Sequence, residues 1–248
     1  MKLTKRLSQF YKNNRKLIIT AIFAFAMGIL EAVVVVYLRK MYYPKGFEFP
    51  LKTFSLNILS IEVIREAATL IMLWTVALLA AKKWRIKFAY FFFLFGIWDI
   101  SYYIGLKCFL NWPLSFLTWD LLFLIPLPWI SPVIAPILVA LTFIIYTIVV
   151  IDLDKKGLPT LFRIREIVLI AIGGILIFVS FVWNYTKIIY ENTLLTKFLS
   201  IAKTDAFQVV IERYKPVNFK WGLYMAGLVL IYISLALFVR NSISKMGR

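Results

Sequence analysis

Residues 133–151 read VIAPILVALTFIIYTIVVI, a stretch of nineteen residues without a single charged side chain. A hydrocarbon core about 30 Å thick requires roughly 20 consecutive, mostly apolar residues in a helix. Working outward from this stretch, five further segments have a similar length and apolar character. The six predicted spans are residues 17–38, 56–81, 88–106, 133–151, 167–185 and 221–239. The sequence therefore predicts an all-α polytopic membrane protein, with about six transmembrane helices in a single integral-membrane domain over residues 1–248.

The composition of the whole chain agrees with this class and excludes several others. Of the 248 residues, 62% are hydrophobic and 17% are charged, whereas an ordinary soluble domain is about 45–50% apolar and about 25% charged. The chain contains no histidine and one cysteine, Cys108. No histidine- or cysteine-based metal site, haem ligand or intrachain disulfide is therefore expected. The sequence identifies no cofactor, and the residue types allow a hard cation held by carboxylates.

The basic residues lie mostly in the connections between the predicted spans. In a soluble protein, the net charge of +17 would suggest nucleic-acid binding. Here the placement of basic residues between apolar spans is typical of membrane anchoring. The expected partner is therefore the lipid bilayer and not nucleic acid. With both termini on one side, that side carries 17 Lys and Arg residues and the other side carries 11. Because the richer side is normally cytoplasmic, we expect both termini in the cytoplasm of a bacterial or archaeal cell.

Two connections between the spans are unusual. Residues 111–136 read NWPLSFLTWDLLFLIPLPWISPVIAP, and their five prolines exclude a regular helix. Two interpretations stay open for this apolar segment: a re-entrant loop packed on the bundle, or an interfacial segment with its tryptophans among the lipid headgroups. The connection over residues 186–220 has apolar side chains at helical spacing. That spacing predicts a short amphipathic helix or a packed loop helix at about residues 193–204.

The fifth predicted span contains two adjacent glycines, Gly173 and Gly174. Small residues let the backbones of membrane helices approach each other closely. We therefore expect another helix of the bundle to pack against this position.

Ionisable side chains inside membrane spans cost about 2.5–3.5 kcal/mol each on insertion, which makes them candidates for function. In this chain they concentrate in the first half and, given the predicted orientation, mostly toward the outer surface. The candidate substrate- or ion-binding residues are Glu31, Glu62, Arg65, Glu66, Asp99, Tyr103, Lys107 and Asp120. Helical spacing places the second-span residues on one face and the third-span residues on another. Five acids against two bases leave a surplus that protonation, water or a bound cation could compensate.

Three functions fit these residues. In the first, buried Glu–Arg pairs hold helices together, and the chain is a non-catalytic subunit or assembly partner that contacts other membrane subunits. In the second, the chain is a carrier or pore, with Glu31, Glu66 and Asp99 binding a cation or proton. In the third, it is an outer-leaflet enzyme acting on a lipid-linked or phosphate-bearing substrate. Carboxylates would then hold a cation such as Mg²⁺ while Arg65 and Lys107 bind phosphate.

Overall fold

In the computed structural model, six long helices and one short hairpin form the part of the chain that is described, residues 2–52, 55–191 and 215–244. The helices are α1 (Lys2–Tyr42), α2 (Leu56–Ala80), α3 (Trp84–Leu110), α4 (Ile134–Lys155), α5 (Ile164–Glu191) and α6 (Trp221–Ser244). All six are long and apolar enough to cross a membrane. The prediction of an all-α, multi-pass membrane protein with six spans is confirmed.

The observed helices extend beyond several predicted spans. α1 begins in the basic leader and continues past residue 38 to Tyr42, and α3 begins at Trp84 and ends at Leu110. The predicted limits mark where the apolar character ends, whereas backbone hydrogen bonding continues through the polar residues that follow. α3 ends where Asn111 takes a left-handed conformation and donates its backbone N–H to the carbonyl of Lys107, a common way to end a helix.

The chain divides into two compact units. Unit 1 consists of Met1–Val36, Thr69–Pro113 and Ile137–Thr160, as far as these residues are described. Unit 2 consists of Tyr37–Ala68, Leu114–Pro136 and Leu161–Arg248, with the same restriction. The predicted helix at residues 193–204 lies outside the described residues.

In unit 1, two polar contacts show that α1 and α2 run in opposite directions. The ammonium of Lys16 donates to the carbonyl of Ala80 at 2.9 Å, near the start of α1 and the end of α2. Farther along α1, the hydroxyl of Thr69 donates to the carboxylate of Glu31 at 3.4 Å. Residues later in α1 therefore contact residues earlier in α2, so the two helices are antiparallel.

α1 and α3 pack closely in unit 1 and run in the same direction. A Cβ atom added at Gly28 would collide with the backbone of Trp98, and one added at Gly105 would collide with the side chain of Ala32. The later residue of α1 contacts the later residue of α3, so the two helices are parallel. α1, α2 and α3 thus alternate in direction, as successive membrane spans must.

In unit 2, the proline-rich segment forms an antiparallel hairpin of β1 (Trp119–Phe123) and β2 (Trp129–Pro132). Asp120 is paired with Ser131 and Leu121 with Ile130. Neither interpretation of the sequence included this hairpin. Proline has no N–H to donate to a strand ladder, and the prolines accordingly lie outside the ladder or at its end: Pro113, Pro126, Pro128, Pro132 and Pro136.

The hairpin and the last two helices form the core of unit 2. The indole of Trp129 on β2 stacks on the ring of Phe181 on α5, with centroids 5.7 Å apart. The hydroxyl of Tyr224 on α6 donates to the carbonyl of Ala135 at 2.7 Å, close to the end of β2. These contacts place the hairpin against α5 and α6.

Candidate functional site

A buried ion pair joins the end of α1 to the first strand of the hairpin. Nη2 of Arg39 lies 2.8 Å from Oδ1 of Asp120, and the two side chains are 8% and 0% exposed. The same carboxylate oxygen accepts the backbone N–H of Leu121 at 2.9 Å. The guanidinium also lies 4.3 Å from the ring centroid of Phe47, in the loop after α1, which is a cation–π distance. Arg39 therefore links that loop to the hairpin.

A second carboxylate, Glu66 on α2, binds the backbone of the hairpin. The N–H of Leu124 donates to both oxygens of Glu66, at 2.9 and 3.1 Å. Leu124 lies just beyond the last ladder pair, Phe123–Trp129. A backbone donor that is partly removed from water needs an acceptor, and here a side chain from α2 supplies it. Glu66 is itself 6% exposed.

Glu62 and Arg65 form an ion pair within α2. Nε and Nη2 of Arg65 donate to the same oxygen of Glu62, at 2.9 and 2.7 Å. The two residues are three positions apart, and Glu62 and Glu66 are both buried on the same helix. The helical spacing predicts that Glu62, Arg65 and Glu66 share one face of α2. The contact between the carboxylate of Glu66 and the hairpin backbone was not part of that prediction.

Sequence reasoning missed Arg39, which it counted among the basic residues of an outer loop. Arg39 could have been identified from its position, one residue after the predicted end of the first span. The helix α1 continues there to Tyr42, so Arg39 lies on a helix and not in a loop. With Arg39 included, three bases and not two accompany the five acids. The predicted surplus of negative charge is smaller by one, and Asp120 is the residue that this base neutralises.

Two further candidates, Glu31 and Asp99, lie on helices of unit 1. Glu31 on α1 is 9% exposed and accepts the hydroxyl hydrogen bond of Thr69. Asp99 lies on α3, directly after Trp98, and is half-buried. Both carboxylates therefore belong to the part of unit 1 in which α1, α2 and α3 pack together.

The remaining candidates are near the end of α3. Tyr103 is buried, and its ring stacks on Trp112 with centroids 6.5 Å apart. Lys107 is exposed, and its ammonium donates to the carbonyl of Pro113 at 3.0 Å. A cation at this place interacts favourably with the carbonyl groups that end a helix. Asp99, Tyr103 and Lys107 are spaced along one face of α3, and they are half-buried, buried and exposed, respectively.

The carboxylates of unit 2 contact arginines and backbone N–H groups within the chain. In the described ranges, no group of three or more aspartate, glutamate or cysteine side chains is placed to bind one metal ion. The arrangement fixes the hairpin in place, because Arg39 of α1 binds Asp120 and Glu66 of α2 binds the N–H of Leu124.

Comparisons of this chain with known protein families, with curated proteins and with solved structures find no match.

Proposed function

We propose that this chain is a non-catalytic subunit or assembly partner of a membrane complex, and that the hairpin region is its contact surface. The observation that carries the proposal is that Arg39 and Glu66, two buried charged residues, bind the hairpin. Burying charges is costly unless each finds a partner. A chain that uses them to hold one β-hairpin gains a rigid element that another subunit can recognise.

A hydrogen-bonded apolar turn precedes the hairpin and supports this proposal. Leu114, Phe116 and Leu117 are 82%, 63% and 65% exposed. The turn is closed by the N–H of Thr118, which donates to the carbonyl of Ser115 at 3.0 Å, and by the N–H of Ser115, which donates to the hydroxyl of Thr118 at 3.1 Å. Exposed apolar patches outside a membrane helix are typical of surfaces that another molecule covers.

Native mass spectrometry of the gently extracted, full-length protein tests this function. We expect other membrane proteins at fixed stoichiometry, and their loss when Leu114 and Phe116 are both replaced by serine. Leu161→Ser is the matched control, because Leu161 is also an exposed leucine in a connection of unit 2. Migration of the wild-type protein as a lone protomer in several mild detergents would contradict the proposal.

We place both termini in the cytoplasm and the hairpin on the outer side. The distribution of basic residues supports this orientation, with 17 on the side of the termini and 11 on the other. Cys108, the single cysteine, is exposed near the end of α3 and is suited to a direct test. A membrane-impermeant maleimide should label Cys108 in intact cells. Labelling that requires the cells to be opened would reverse the orientation.

A carrier of protons or small cations is a second candidate, which the burial of Glu31 favours. Glu31 lies within a candidate membrane span and is 9% exposed, and ionisable residues in such positions commonly line ion pathways. Flux into liposomes should then be lost in Glu31→Gln. Asp152→Asn, at an exposed position, is the control. Equal flux in the Glu31→Gln and wild-type proteins would remove this candidate.

A further inference from the structure

The loop between α1 and α2 contains a cleft of about 450 Å³. Its lining combines the charged side chains of Lys45, Glu48 and Lys52 with the ring of Tyr43 and the side chain of Leu51. Sites for small ligands typically enclose roughly 300–1,000 Å³ and combine apolar walls with a few polar groups. The cleft has both properties, and none of its charged residues belongs to the polar contacts that hold the hairpin.

The loop that forms this cleft is held in shape by packing. The hydroxyl of Tyr43 accepts the backbone N–H of Lys52 at 2.6 Å, which closes the loop across nine residues. The rings of Tyr43 and Phe47 pack edge to face, with centroids 5.0 Å apart. The guanidinium of Arg39 lies over the ring of Phe47. Burial raises the pKa of Tyr43, so its hydroxyl stays neutral and contributes no charge to the cleft.

The charges of the cleft have both signs. The residues that line it include two lysines, Lys45 and Lys52, and one glutamate, Glu48. The ammonium of Lys52 lies 5.6 Å from the ring centroid of Tyr43, so an aromatic surface lies beside this charge. Ammonium groups bind phosphate as point charges, and a carboxylate accepts hydrogen bonds from an amine. A ligand that carries a phosphate and an amine close together matches all three groups.

The position of the cleft along the chain indicates where such a ligand is found. The candidate membrane span in α1 ends at Tyr42, and the eight residues that line the cleft all lie between Tyr43 and Lys52. Residues directly after a membrane helix lie at the level of the phospholipid headgroups. We propose that this cleft binds a phosphate–amine zwitterion, either the headgroup of phosphatidylethanolamine or free phosphoethanolamine, with Lys45 and Lys52 contacting the phosphate and Glu48 the amine.

Lipid retention by the purified, full-length protein tests the ligand and its residues. In native mass spectrometry from mixed micelles, wild type should retain dioleoyl-phosphatidylethanolamine over dioleoyl-phosphatidylglycerol, which has no amine. The double variant Lys45→Gln/Lys52→Gln should retain about fivefold less phosphatidylethanolamine, a size typical of exposed charge pairs. Glu48→Gln should bind phosphatidylglycerol as well as phosphatidylethanolamine. Lys82→Gln/Lys215→Gln, at exposed lysines outside the cleft, should behave as wild type.

A second titration distinguishes the two sources of the ligand. Binding of phosphoethanolamine itself, measured by calorimetry with an affinity similar to that of the lipid, would identify the soluble compound. Retention of the lipid without such binding would identify the headgroup. Equal retention of the two lipids by wild type would overturn the proposal, as would unchanged retention in Lys45→Gln/Lys52→Gln. Because all three substituted residues of the cleft are exposed, circular dichroism should show each variant folded, and the selectivity change in Glu48→Gln is an independent measure.

Discussion

Arg39 and Asp120 are 81 residues apart in the sequence, and their side chains lie 2.8 Å apart in the structure. The pair connects the last turn of α1 to the first strand of the hairpin. Because both groups are almost fully buried, neither can recover its lost hydration if the other is removed. The position of the hairpin therefore depends on a match of charges between two distant parts of the chain.

Asp120→Ala should strongly destabilise the protein, because it leaves the guanidinium of Arg39 buried without its carboxylate. Breaking a buried ion pair costs about 3–5 kcal/mol in the free energy of unfolding. The double variant Arg39→Met/Asp120→Leu should lose less than Asp120→Ala alone, since it removes both charges. Denaturant titration in mixed micelles measures both values, and an Asp120→Ala protein as stable as wild type would show that the pair is not needed.

Glu66→Ala should loosen the hairpin at Leu124, whose N–H loses both acceptor oxygens. An unsatisfied buried donor costs about 1–3 kcal/mol. Hydrogen–deuterium exchange of the peptide that contains Leu124 should become faster. Glu66→Gln keeps one oxygen acceptor and should show a smaller increase. Unchanged exchange in Glu66→Ala would mean that the contact does not protect this amide.

Gly173→Ala should destabilise the packing of α5 on α6, while Gly174→Ala should not. A Cβ atom at Gly173 would lie 2.7 Å from the carbonyl oxygen of Gly227, whereas nothing lies within 4 Å of one at Gly174. Overpacking of this kind typically costs about 1–3 kcal/mol. Thermal unfolding of the two variants in the same detergent compares neighbouring positions of one helix. Equal melting temperatures would contradict the observed helix contact.

Glu166→Ala should weaken the attachment of the start of α5 to α6. Glu166 is fully buried, accepts the backbone N–H of Arg163 at 2.6 Å and accepts a hydrogen bond from the amide of Asn241. The first contact is the glutamate half of a capping box. A loss of about 1–3 kcal/mol is expected. Asn241→Ala should add less to this loss than it costs in the wild type. Both substitutions remove the Glu166–Asn241 contact, so only the exposed hydrogen bond from Arg165 to Asn241 is left to lose. Fully additive losses would argue against the pairing.

The six helices were predictable because length and apolar character are properties of each segment by itself. The two glycines of α5 show where this kind of prediction ends. The sequence predicts a close helix approach at Gly173 and Gly174 together, and the structure places only Gly173 against Gly227. The choice depends on the rotation of α5 about its axis, which is set by the packing of the whole unit.

The charged residues show the same division. Spacing within α2 predicts that Glu62 and Arg65 share a face, and they pair. The partners of Asp120 and Glu66 lie on other elements: an arginine that sequence reasoning assigned to a loop, and a backbone N–H that no side-chain pattern reveals. The prolines excluded a helix after α3 but did not specify a hairpin, because strand pairing joins residues of two segments.

The sequence by itself determined the number and nature of the membrane helices, since the free energy of placing a segment in lipid is close to a sum over its own residues. Only the tertiary structure decided which charged side chains meet partners on other elements, as Arg39 meets Asp120 and Glu66 meets the N–H of Leu124. That choice is governed by distances between segments far apart in the chain, and these exist only once the helices and the hairpin have packed.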